Sequence, residues 1–111
     1  MSEIAIASFV ETNGRVPFHA WLDSLDRQTQ AKITVALTRL AHGNRSHVKG
    51  VGGGVAELKL DFGPGYRIYF GHDGDMLIIL LAGGTKKRQS EDIATAKARW
   101  VEYKERKARN R

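Results

Sequence analysis

Apolar residues recur along the chain with two different periods, and the switches between them divide it into elements. Over residues 3–11, Ile4, Ile6 and the pair Phe9-Val10 fall in a roughly alternating pattern, which predicts a strand. The turn sequence NGRVP follows. Pro17 suits the first position of a helix on which Phe18, Trp21, Leu22 and Leu25 share one face. Asp26 predicts the N-cap of a second helix with Ile33, Ala36, Leu37 and Leu40 as its apolar face, and the glycine of HGN at 42–44 ends it. The two read as a helical hairpin.

Beyond this hairpin the period becomes two. Leu58, Leu60 and Phe62 alternate with Glu57, Lys59 and Asp61, and after GPG at 63–65, Tyr66, Ile68 and Phe70 alternate with Arg67 and Tyr69. Matching apolar faces predicts a hairpin that pairs Phe62 with Tyr66, Leu60 with Ile68 and Leu58 with Phe70. Arg67 then faces Asp61, and Glu57, Lys59, Asp61, Arg67 and Tyr69 make one polar face. VGGGV at 51–55 reads as a flexible loop. Asp73-Gly74 is a hairpin-turn signal leading into MLIILLA at 76–82, whose unbroken apolarity predicts a central strand covered on both faces. From about Ser90, Ile93, Ala96, Trp100 and Tyr103 line one face of a terminal helix, which is expected to fray beyond Tyr103. The order strand, two helices, three antiparallel strands, helix predicts a two-layer α+β domain over 1–103, with an antiparallel sheet, an N-terminal helical hairpin and a C-terminal helix. Residues 104–111 form a basic tail.

Composition narrows the chemistry. A chain of 111 residues suits one domain. It has no cysteine, which excludes disulfides and Cys-ligated zinc. MLIILLA is far shorter than the roughly 20 residues of a membrane span, and no basic-then-apolar leader opens the chain, so a cytoplasmic protein with no membrane partner is expected. Charge is segregated: cations and anions balance over residues 1–84, so the whole +6 excess lies in 85–111. That fits a polyanionic partner, nucleic acid or acidic protein, and equally a solvated lysine-rich helix.

The four histidines have no metal-ligand spacing, Asp73-Gly74-Asp75 reads as turn chemistry, and VGGGV precedes a strand rather than a helix N-terminus. Neither a metal nor a cofactor is expected. The remaining chemistry is cationic: Lys59, Arg67 and Tyr69 on the polar face, Lys49 from the loop before it, and Lys86, Lys87 and Arg88 after the central strand. A strand-borne guanidinium suits a phosphodiester, and RNA cleavage through the 2′-OH needs a proton acceptor, a proton donor and cations on the phosphorane. The competing reading is an ordinary solvated sheet face on which Arg67 pairs with Asp61.

The stretches FHAWLDSLD, RLAHGN, VKGVGGGVAELKLDFGPGYRIYF and LLAGGTKKRQSEDIATAKARW, in that order over about residues 2–100, resemble RelE/HigB-like toxins of type II toxin-antitoxin modules, in the phage-related addiction-module killer branch. The resemblance implies a small α+β toxin, held inactive by a cognate antitoxin of the helix-turn-helix DNA-binding kind. Such a toxin arrests translation by cutting mRNA on the ribosome, without a metal. It implies catalytic roles for Lys59, Arg67, Lys86 and Lys87, and RNA or ribosome contacts for Lys49, Tyr69 and Arg88. Thr85 stands where the branch has an acidic residue. The Tyr or His that such nucleases carry near the chain end has no clear match: Ile93 is near that place, and Tyr103 lies further on. Toxins of the ParE branch share the fold and act on DNA gyrase, and a non-catalytic antitoxin-binding module is a third reading.

Overall fold

The computed structural model describes residues 3–110. Its elements are β1 (Ala5–Ser8), α1 (Pro17–Asp23), α2 (Arg27–Ala41), β2 (Val48–Gly52), β3 (Val55–Leu60), β4 (Tyr66–His72), β5 (Leu77–Thr85) and α3 (Gln89–Arg109), with a 3-10 turn at Lys86–Arg88 leading into α3. The five strands form one sheet in the order β1-β5-β4-β3-β2. β1 lies parallel to β5, and the other neighbours are antiparallel. None of the described helices is long and apolar enough to cross a membrane.

The α+β architecture with its N-terminal helical hairpin and C-terminal helix is the one expected. Pro17 opens α1, and the Asp26 side chain caps α2 by accepting from the Thr29 N–H at 2.9 Å. Phe18, Ile33 and Leu40 of this hairpin pack on Leu58, Leu60, Ile68, Phe70, Ile78 and Leu80, which make one face of the sheet. α3 takes the opposite face, where Ala96 and Trp100 close over Val55, Tyr69, Ile79 and Leu81. The unbroken run in β5 is thus explained, because helices cover it from both sides.

Four details differ from the sequence reading. The β3–β4 register is displaced by two residues: Leu60 faces Tyr66, Leu58 faces Ile68, and Arg67 faces Lys59 instead of Asp61. Phe62 belongs to the turn. The glycines of 51–55 are no flexible loop: Gly53 and Gly54, with φ of 66° and 82°, form the two-residue turn of a β2–β3 hairpin that bulges between Gly50 and Gly52. The face carrying Glu57, Arg67 and Tyr69 is not solvated, because α3 lies on it, and these three residues keep 1%, 5% and 0% of their surface. Finally, α3 continues to Arg109, past Tyr103 where the sequence reading ended it. Its last turns are clamped. Tyr103 donates to Asp73 at 2.6 Å, Lys107 pairs with the same carboxylate, and Arg106 donates to the Val10 carbonyl at 2.6 Å with its guanidinium 4.8 Å over the Phe9 ring.

Candidate functional site

At the end of the sheet where β4 begins and β5 ends, three segments meet at one backbone oxygen. The Gly65 carbonyl accepts from Arg67 Nη1 at 2.9 Å and from the Lys86 N–H at 2.8 Å, so it joins the β3–β4 turn, the Arg67 side chain and the 3-10 turn. Lys59 stands directly across from Arg67 on the neighbouring strand. Like charges facing one another across strands are unfavourable unless an anion compensates them. No ion pair among the described residues includes Arg67, and Lys59 reaches Asp61 at 3.4 Å. Lys86, Lys87 and Arg88 are exposed on the 3-10 turn, and Arg88 pairs with Glu91 at 2.6 Å.

The turn that carries these cations is tied to the sheet by Gln89, whose amide donates to Glu57 Oε2 at 2.7 Å. The other Glu57 oxygen lies 3.9 Å from Lys49 Nζ. Tyr69, in the same row of the sheet, is enclosed beneath α3, and its hydroxyl has no hydrogen-bond partner. Burial first, and then the Glu57 carboxylate, push its pKa up. Tyr69 therefore has no surface to offer RNA. The structure brings together Lys59, Arg67 and Lys86, with Lys87 and Arg88 beside them. Lys49 sits one row along, on the edge strand. Ile93 packs into the core under α3, and the Tyr103 hydroxyl, pushed up to about 12 by burial and by Asp73, is engaged near the far end of that helix. Neither supplies an acid or base at the cationic end.

A profile of the family described as "Phage derived protein Gp49-like (DUF891)" matches residues 20–101, from within α1 to the middle of α3. The chain belongs to the Gp49-like family. An uncharacterized protein of Haemophilus influenzae is 38% identical to it over 89 residues, which cover 79% of this chain and 90% of that protein. Every cation of the site lies within the Gp49-like match, whereas β1 and the clamped end of α3 lie outside it.

Three site residues of this Gp49-like chain escaped the sequence reading. Glu57 looked like an ordinary member of a polar strand face. Gln89 precedes the predicted start of the terminal helix, and Asp92 is off its apolar face. A signal was available for Asp92 in the doublet Gly83-Gly84, whose two residues make room on opposite faces. A Cβ on Gly83 would come within 2.2 Å of the Trp21 ring from α1, and one on Gly84 within 1.8 Å of Asp92 Oδ2 from α3. Asp92 Oδ2 is buried without a partner, and burial raises the pKa of the carboxyl. The N-terminal end of a helix favours negative charge. Because the net shift is upward, desolvation outweighs that attraction here.

A carboxyl whose folded pKa lies above its unfolded value costs stability once it ionises. The favourable balance is complete below about pH 4 and is lost as pH rises through the folded pKa. Asp92→Asn should therefore raise the melting temperature at pH 7, with the gain vanishing below about pH 4. Thermal melts across that range test it, and a gain independent of pH would show that packing, not charge, is the cause.

Proposed function

We propose that this protein is the toxin of a type II toxin-antitoxin module, of the RelE/HigB-like kind, and that it arrests translation by cutting mRNA on the ribosome. The observation that carries this reading is the facing pair Lys59 and Arg67, uncompensated at Arg67 and joined through Gly65 to the Lys86–Arg88 turn. Such a cluster suits a phosphodiester: cations fixed in place before the reaction lower the energy of the negative charge that develops on the phosphorane oxygens. The excess of +6 in 85–111 supplies long-range attraction to a polyanion. The antitoxin would be a helix-turn-helix protein. Membership of a phage-derived family accords with such modules.

Neither Ile93 nor Tyr103 is placed at the cationic end to take the 2′-OH proton or to protonate the leaving oxygen, and in this reading the ribosome orients the message. Ribosome-bound mRNA should be cut within the codon being read, while the same RNA free in solution is cut far more slowly. Single-turnover cleavage of one message with and without ribosomes measures this. Equal rates would sink the ribosome-dependent reading.

Burial of Arg67 at 5% exposure favours a second reading, in which that guanidinium only braces the turn at Gly65 and the exposed cations bind a partner such as gyrase or an acidic antitoxin. Induction of the protein without its antitoxin separates the two. Protein synthesis should stop before any DNA damage if mRNA is the target, and the reverse order would point to gyrase.

A further inference from the structure

Between α2 and β3, on the sheet face packed by α2, runs a groove of about 570 Å³ whose lining includes Lys59. Its floor is apolar, formed by Ala36, Leu58 and Leu60, and Val35 on its helix side leaves 48% of its surface exposed. Lys32 and Arg39 stand along the α2 rim. One carboxylate lines the groove, Asp61, and Lys59 already engages it at 3.4 Å. At the mouth is Phe62, displaced from β3 into the turn by the observed register, with the Lys32 ammonium 5.0 Å over its ring and Tyr66 5.2 Å behind it. At the other end lies Asn44, whose side-chain oxygen is taken by the Ser46 N–H and hydroxyl at 3.0 and 2.7 Å.

We infer that this groove is a nucleobase subsite for single-stranded RNA, with a backbone phosphate of that strand held at Lys59. The inference rests on the RNA reading given above and adds the place where a neighbouring nucleotide binds. Single-strand binders combine a cationic track for the backbone with aromatic faces for the bases. Here the two are adjacent. Lys59 holds a phosphate, the next base takes the Phe62 face, and the Lys32 ammonium that now covers this ring turns to the following phosphate, with Arg39 two helical turns further along. An acidic peptide would satisfy the same charges. It would leave unexplained why an aromatic ring stands beside Lys32 and Lys59 in the groove lining.

The probe is a short fluorescein-labelled oligouridylate with 2′-O-methyl groups, which cannot be cleaved through the 2′-OH, followed by fluorescence anisotropy over a range of salt. The parent protein should bind with a log-log salt slope of about 0.7 per phosphate contact. Phe62→Leu should weaken binding about tenfold with the slope unchanged, because a stacked base releases no counterions. Phe62→Tyr, which keeps the ring, should bind like the parent. Lys32→Ala and Arg39→Ala should each flatten the slope by about 0.7.

If Phe62→Tyr loses as much as Phe62→Leu, stacking is not what the ring does, and the subsite is overturned. If the groove variants all bind like the parent while Lys86→Ala with Lys87→Ala does not, RNA binds the cationic end alone: the groove assignment fails and the RNA reading stands. If the parent binds no RNA but binds polyglutamate through Lys32 and Arg39, both fail. Thermal melts of each variant confirm that the fold is retained.

Discussion

If this protein cuts mRNA as proposed, Arg67→Ala should keep the parental fold and lower the cleavage rate by on the order of a hundredfold, the usual cost of removing one preorganised charge donor. The fold should survive because the Gly65 carbonyl retains its bond from the Lys86 N–H after Nη1 is gone, so the junction between the two turns is not dissolved. The expected structural cost is that of one hydrogen bond, about 1 kcal/mol. On that reading the functional cost is larger, because Lys59, the facing cation, lacks the planar fork of a guanidinium. Arg67→Lys should accordingly recover only part of the rate. The measurement is single-turnover cleavage on message-programmed ribosomes, with circular dichroism melts in parallel. A folded Arg67→Ala protein that cleaves at the parental rate would reduce Arg67 to a brace.

The largest effect on stability is expected at Trp100. Its ring lies against bare backbone: a Cβ on Gly71 would come within 2.7 Å of the ring, and one on Gly54 within 2.8 Å of Nε1. Tyr103 stacks on it at 5.3 Å with an interplanar angle of 6°. Truncation of a buried aromatic leaves a cavity whose cost depends on how far the surroundings can collapse. Here Gly54 and Gly71, directly against the ring, have no side chains to move into the space, and α3 is held at its end by Asp73 and the Val10 carbonyl. Trp100→Ala should therefore cost about 3–5 kcal/mol, at the upper end for such changes, and lower the melting temperature by about 15 °C or more. Denaturant and thermal unfolding would report it. A loss below about 1 kcal/mol would mean that α3 settles onto the sheet freely, and that contact with Gly54 and Gly71 is not what fixes its height.

The helices were legible because their signals are local. Asp26 caps its own helix, and the apolar stripes of α1, α2 and α3 repeat within a few residues. The β3–β4 register was not legible, for a reason intrinsic to strands: alternation repeats every two residues, so a displacement of two leaves each side chain on its expected face. The turn decides the register, and its positive-φ glycines Gly63 and Gly65 leave Phe62 outside the ladder. β2 was hidden because its glycines carry no side-chain pattern to read.

The candidate site was legible in part for a related reason. Lys59, Arg67 and Lys86 do come together, as their places around the hairpin and the following loop suggested. The burial of Arg67 and Tyr69 is not legible in the alternation itself, because polar residues at every second position ordinarily mark a wet face. The continuous apolarity of β5 already required a cover on both sides of the sheet. Extended to the adjacent β4, that requirement places Tyr69 and Arg67 under the same helix. Glu57 is the physical counterpart of this error. A carboxylate with 1% exposure is tolerable where Gln89 donates to it and a lysine stands near.

The parallel place of β1 also bears on how the chain reaches this structure. β3, β4 and β5 follow one another through short turns and can pair while the chain is still searching, since little chain entropy is lost in closing each turn. β1 cannot do so. Its partners are Leu77 to Leu80, so the ladder from Ala5 to Ser8 closes only after both helices and three other strands have been spanned. Four residues of pairing must offset the closure of nearly the whole domain. β1 is thus the strand expected to join last during folding and to leave first under load, and amide exchange in Ala5–Ser8 should run ahead of exchange in β4.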